Sequence, residues 1–209
     1  MTKTLTRLFD DYSDAKAALN DLERLGVPHD SISIVANNAD GAHDTSLGDV
    51  DDHGDVSRGV STGAAVGGVG GLLAGLGLLA IPGLGPIVAA GWLASTVVGA
   101  GIGAAGGAAT GTIVGALKEA GHTDAEAHVY SEGVRRGGTL LSARVEDGLA
   151  TEAEAVLERH RSVDATTRGA AYRQDGWTSF DDAAPAYTRD EVATERTRYG
   201  SAASTNSTF

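Results

Sequence analysis

The chain has 209 residues, room for one or two domains, and 16 Lys and Arg against 28 Asp and Glu give it a formal net charge of -12. An acidic surface repels phosphate backbones and speaks against nucleic acid as a partner. Zero Cys excludes disulfides, thiol catalysis and Cys-ligated zinc or iron-sulfur centres.

Position matters more than these totals. Between Arg58 and Lys118 lie 59 residues without a charged side chain, and 18 of the 30 glycines fall there. All 44 charges sit on the other 150 residues, so the chain joins two different materials. Met1 to Asp14 shows no apolar stretch after a basic one and no small-residue cleavage site, so the expectation is cytoplasmic synthesis and residence.

In chain order, Thr4–Phe9 alternates apolar and polar residues and predicts a strand. Ser13 to Leu25 places Ala15, Ala18, Leu19, Leu22 and Leu25 on one helical stripe, stopped by Gly26 and Pro28. Ser31–Ala36 is β-branched and alternating, a second strand. Asp40 to Asp55 holds six Asp and two His, His43 and His53. Its Asp49-x-Asp51-x-His53-Gly54 partly imitates a calcium loop, but Val60 stands at position twelve where a bidentate Glu belongs. A solvated acidic linker is the expectation, with no metal site.

Inside the uncharged block, Gly59, Gly63, Gly67, Gly71 and Gly75 recur every four residues, as do Gly91, Ser95, Gly99, Gly103, Gly107, Gly111 and Gly115. Such ladders strip side chains from one helix face and let two backbones approach closely. The break between them, Ile81-Pro82-Gly83-Leu84-Gly85-Pro86, cannot continue a helix. The expectation is a helical hairpin, 59–80 and 87–117, turning at Pro82, Gly83, Gly85 and Pro86. The nine Val, Leu and Ile from Val60 to Ile81 contribute roughly -3 to -5 kcal/mol towards lipid insertion, at about -0.3 to -0.6 each. The most apolar part, about 66 to 98, surrounds the turn, while 103–112 contains only Gly, Ala and Thr. Three readings stay open: a two-pass transmembrane hairpin, a dip into one leaflet, and a soluble oligomer sealed by hairpins of several copies. Trp92 is an interface anchor in the first reading and a packed aromatic near a helix start otherwise.

Beyond the block, Thr123-Asp-Ala-Glu126 is a capping box opening a helix to about Arg136, ended by Gly137-Gly138. Thr139–Val145 predicts a strand. A second box, Thr151-Glu-Ala-Glu154, opens a helix to about His160, and Val163 to Thr167 offers a short fourth strand. His122 and His128 stand six apart, unlike a helical metal pair. From Gly169 onwards the chain carries Tyr172, Trp177, Phe180, Tyr187 and Tyr199 and ends in a tail disordered by composition. Packing of Tyr172 to Phe180 on the domain and a loose remainder are expected. Two strand-helix-strand units fold naturally into an α+β, ferredoxin-like split β-α-β sandwich, here interrupted by the glycine-zipper hairpin. The divisions are 1–38 and 118–168 for the two halves, 39–58 for the linker, 59–117 for the hairpin and 169–209 for the extension.

No nucleophile elbow, Walker motif or carboxylate constellation is evident, so no catalytic residue, cofactor or small-molecule substrate is assigned. The stretch from Leu5 to Asn37, LLAIPGLGPIVAAGWL at 78–93, DAEAHVYSEGVRRGGTLLSARV at 124–145 and Gly176-Trp177 resemble bacterial general stress proteins with a heat-induced stress protein YflT-type domain. The likeness covers roughly residues 4–180. It implies an α/β domain around a glycine-zipper insert, stress association, and no catalytic residues to carry over. The leading expectation is a non-enzymatic, membrane-associated stress protein with both termini in the cytoplasm and the lipid bilayer as partner. The alternative is a cytoplasmic, self-assembling homo-oligomer whose hairpins form its core.

Overall fold

The computed structural model describes residues 2–41, 77–96 and 113–203. Strand β1 runs Thr2–Phe9, and Asp11 then caps helix α1 (Tyr12–Leu25) by accepting from the Ser13 amide at 2.7 Å. Ala15, Ala18, Leu19 and Leu22 are the buried stripe of α1, as their spacing predicts, and Gly26 ends it at φ +102°. A 3-10 turn, His29–Ser31, leads into β2 (Ile32–Asn37), all six residues of which are buried. Strands β3 (Gly77–Ile81) and β4 (Gly85–Gly91) follow. Next come α2 (Ile113–Glu119), α3 (Asp124–Arg135) and β5 (Thr139–Glu146). The chain closes with α4 (Ala150–Arg159), α5 (Ala165–Gln174) and α6 (Arg189–Ala203).

The five strands form one antiparallel sheet in the order β1-β5-β2-β4-β3. Strand β5 thus lies between β1 and β2, with Thr6 opposite Ser142 and Ile34 opposite Leu141. Side chains alternate across it. Leu5, Phe9, Ile32, Ile34, Leu141 and Ala143 face α1 and α4, which contribute Leu19, Leu22, Val156 and Leu157. Leu8, Val35, Ile87, Ala89 and Leu140 face the other way and pack with Ile113 and Leu117 of α2, Val134 of α3 and Tyr172 of α5. Both faces are covered, so β2 is buried throughout, and the polar residues of its second face, Ser33 and Asn37, donate to the carbonyls of Ala90 and Arg135.

The same fact corrects the largest sequence expectation. Residues 77–80 and 87–91 were expected in helices; they are strands, and Ile81 to Pro86 is the turn of a β-hairpin. An uncharged run rich in Leu, Ile and Val fits a doubly covered strand as well as a buried helix. Gly83 and Gly85, at φ +75° and +79°, supply the left-handed turn positions, and the Leu84 amide donates to the Ile81 carbonyl at 3.1 Å. Of the ladder residues, Gly91 ends β4 and Ser95 lies in a short helical segment, 92–96. Gly115 sits on α2. Gly59, Gly63, Gly67, Gly71, Gly75, Gly99, Gly103, Gly107 and Gly111 lie outside the described residues, as does most of the acidic linker. No helix among the described residues is long and apolar enough to cross a membrane.

Smaller differences have equally local causes. The Thr123–Glu126 capping box forms in both directions. The Thr151 box does not, because a 3-10 turn at Asp147–Leu149 runs straight into α4 and leaves Thr151 inside the helix. In place of a fourth strand at 163–167, Val163 makes a single bridge to Leu8, and Asp164 caps α5 by accepting from the Thr167 amide at 2.8 Å. The extension packs on the domain through Tyr172 and Phe180, but it does not stop there: α6 docks as well, with Val192 fully buried.

Candidate functional site

The last turn of α3 carries Glu132 and Arg135, with Arg136 as the C-cap. Glu132 is 1% exposed and would be costly to bury alone. Its Oε1 accepts from Arg136 Nε at 2.7 Å, and Arg135 Nη1 stands 3.6 Å from its Oε2. Arg136 Nη1 donates across to Glu195 of α6 at 2.8 Å. Its guanidinium carbon lies 4.4 Å from the Tyr172 ring centre, while Arg135 stacks 4.9 Å from Tyr187 and donates to the Pro185 carbonyl at 3.0 Å. Close by, Arg168 donates to both carboxylate oxygens of Asp10 at 2.7 and 2.6 Å and lies 4.7 Å from the Tyr199 ring. Arg196 of α6 reaches back to the Gly137 carbonyl at 2.8 Å and pairs with Asp40.

This layer clamps α3, α5 and α6 together. Burial works against the charge of Arg136, but the hydrogen bonds and charges of Glu132 and Glu195 outweigh it and raise its pKa above the ordinary arginine range. Burial raises the Tyr172 hydroxyl too, and Tyr199 is pushed up to about 12 by burial and by its bond to Asp175. All three groups keep one charge state through neutrality.

A second cluster looks more like chemistry. Thr6 Oγ1 lies 2.7 Å from His122 Nε2, and His122 Nδ1 is 3.9 Å from Glu126 Oε2, a hydroxyl-imidazole-carboxylate line. Access decides its role. Thr6 and Ser142, whose hydroxyls lie 2.7 Å apart across the β1–β5 pair, are each 1% exposed, so no substrate reaches either oxygen. Tyr130 donates its hydroxyl to the Thr6 carbonyl at 2.8 Å and its ring meets His122 edge-on at 5.7 Å. The cluster satisfies polar groups inside the sheet. Burial holds His122 below its usual pKa, with Glu126 opposing. His128, by contrast, sits on α3 with Nε2 3.5 Å from Asp124 Oδ2. Among the described residues no group of three or more potential metal ligands occurs.

A cleft of about 370 Å³ opens beside the start of α1 between Asp10, Asp11, Asp14, Arg161 and Arg196. Its charges are spoken for: Arg168 holds Asp10, and Arg161 meets Asp14 at 2.6 Å.

The turn residues expected from sequence, Pro82, Gly83, Gly85 and Pro86, do come together, but the tip is covered by the chain's own extension. Leu84 and Ile87 are each 1% exposed, and a Cβ on Gly83 would stand 2.8 Å from the Asp182 backbone. Trp92 lies under the Arg144 guanidinium, 3.8 Å from ring centre to Cζ. The charged clamp itself was not foreseen. Its only local trace is the pair Arg135-Arg136 before Gly137, which reads as a routine basic helix end, because the counter-charge on Glu195 lies 59 residues further on.

No protein-family model matches the chain, and neither the curated proteins nor the solved structures contain a match to it.

Proposed function

We propose that the chain is a non-enzymatic association module: an α/β domain that presents uncharged, glycine-rich segments, 59–76 and 97–112, through which copies assemble. The observation that carries this reading is the pairing of the β3–β4 hairpin onto the edge of the sheet, with Leu84 of its tip buried against the extension. With β3 and β4 held there, the glycine-rich chain is divided into two excursions that each begin and end on the domain. The second spans 16 residues, 97–112. Even as one helix these reach about 24 Å, short of the roughly 20 residues a crossing needs and with nothing left for a return. Small residues at steps of four still favour close packing of backbones, which a second copy supplies without lipid.

Association with a bilayer surface is the second reading, favoured by the absence of any charge from 59 to 117. The strand order β1-β5-β2, with α1 and α4 on one face and Val163 bridged to Leu8, supports a ferredoxin-like arrangement extended by the β3–β4 hairpin. The resemblance to general stress proteins suggests a stress-associated setting in a bacterial cytoplasm.

Ultracentrifugation of the full chain with and without anionic lipid vesicles, followed by light scattering of the supernatant, tests both readings. The assembly reading expects soluble particles of several 21.1 kDa chains, reduced in size by Gly67→Leu or Gly103→Leu. Pelleting with vesicles that only detergent reverses supports the lipid reading instead. A soluble monomer that ignores vesicles overturns both.

A further inference from the structure

The segment from 178 to the end of α6 is attached unlike the rest of the molecule. Along α6 among the residues with described side chains, Val192 alone is buried; the half-buried Tyr199 adds an edge-on contact to the Tyr172 ring at 5.4 Å, and the remaining ties are charged, through Arg136–Glu195 and Arg196–Asp40, with Arg198 reaching back to Asp175. The preceding stretch lies against the β3–β4 turn, where Phe180 joins Ile81, Leu84 and Ile87 in one apolar cluster. The receiving surface is cut to this segment. A Cβ on Gly83, Gly85 or Gly137 would come within 2.8, 2.8 or 2.6 Å of Asp182, Ala186 or Val192.

Detachment strands little. When Glu195 leaves, Arg136 keeps its 2.7 Å bond to Glu132 and its place on the Tyr172 ring, so no buried charge on that pair is left without a counter-charge. The hinge is at hand too, since Gly176 takes φ +85° directly after α5. Rising salt weakens the outer pair Arg198–Asp175 most and Arg136–Glu195, whose side chains are 10% and 13% exposed, least, whereas the apolar contacts of Phe180 and Val192 are not screened at all.

We propose that residues 178–203 form a detachable strap that is exchanged between two copies of this chain, each strap seating in the groove beside the other copy's β3–β4 turn. The occupant is the same segment that fills the groove within one chain, so every contact above is conserved, and only the hinge differs. This is separate from assembly through the glycine-rich segments and does not depend on it.

Full-length variants of opposite charge test the exchange. Glu195→Lys and Arg136→Glu each place like charges across the clamp within one copy. In an equimolar mixture, exchange pairs opposite charges in both grooves. Light scattering at low salt should show the mixture with twice the mass of either variant alone; a mixture no larger than its components, with both variants folded by circular dichroism, overturns the proposal. Because Arg136→Glu also meets Glu132, the wild-type chain provides a measurement free of substitutions. Concentrated in 1 M NaCl and returned to low salt, it should retain at least tenfold more dimer than an untreated sample, and an equal dimer fraction in both overturns the exchange. Introducing Gly67→Leu and Gly103→Leu into these samples separates the two kinds of assembly: glycine-driven particles shrink, and the exchanged dimer persists.

Discussion

Gly91 separates the two descriptions of the uncharged block by the sign of a single substitution. On a helical ladder, Gly91→Ala would be neutral or favourable, since alanine is preferred over glycine in a helix interior by roughly 1 kcal/mol. In the structure Gly91 closes β4 at φ +86°, and a Cβ there would stand 2.2 Å from the Ile32 carbonyl oxygen and 2.8 Å from Ser33 Cα. The left-handed backbone alone costs alanine about 1 to 2 kcal/mol. The clash lies far inside ordinary nonbonded contact, and the atoms met are backbone of β2, so relief requires the β2–β4 pair to part at Ser33↔Gly91. That endangers the 2.7 Å bond from Ser33 Oγ to the Ala90 carbonyl and the 3.3 Å bond from the Leu93 amide to Ser33 Oγ, each worth about 1 kcal/mol. The sum is a loss of about 3 to 4 kcal/mol. Urea unfolding followed by circular dichroism should show a lower midpoint with an unchanged slope. A Gly91→Ala variant within about 1 kcal/mol of wild type, or more stable, would refute the strand assignment and restore the helix.

Three further outcomes follow from the packing. His122 has a folded pKa below its unfolded value of about 6.5, so the stability it contributes is present above that pH and is lost as pH falls through 6.5 towards the folded value. Chemical denaturation at pH 7.5 and at pH 5.5 should give a smaller difference in His122→Gln than in wild type, and an equal difference counts against the burial of His122. Arg136→Ala leaves Glu132 buried with Arg135 at 3.6 Å as its remaining cation; a loss of about 3 to 5 kcal/mol by urea titration is expected, and a loss under 1 would show Glu132 to be solvated. Gly133→Ala would gain helix propensity yet bring a Cβ to 2.5 Å from Leu8 Cδ2, so a net loss of about 1 to 3 kcal/mol is expected, largely relieved when Leu8→Ala is added. Additive losses in that cycle would mean the two residues do not touch.

The charged two thirds of the molecule were legible because their periods and caps are local. The stripe of α1, the Thr123–Glu126 box and the β-branched alternation of Ser31–Ala36 all act within a few residues. Three features were not legible for a common reason. Strand β4 looks helical because layers on both sides erase its alternation, and those layers come from α1, α2 and α3, far away in sequence. The Thr151 box is sound chemistry overridden by the 3-10 turn Asp147–Leu149, which starts the helix at Ala150, ahead of the predicted cap. The clamp pairs Arg136 with a carboxylate 59 residues along, and no pattern within either segment announces the other.

The position of β5 between β1 and β2 has a consequence for how the chain is made. As the chain emerges from a ribosome, β1, α1 and β2 are complete by residue 37, but the strand that joins them begins at residue 139. At about 5 to 20 residues per second the first half waits on the order of 5 to 20 seconds with a strand-wide gap and two unpaired edges, while the glycine-rich stretch is synthesised beside it. Its sheet bonds join residues as far apart as Thr2 and Glu146, so the closing step carries a large loop-closure penalty and sets the rate. The interval in which the edges of β1 and β2 stand bare therefore comes before the sheet is complete, while residues 38–138 are still being made.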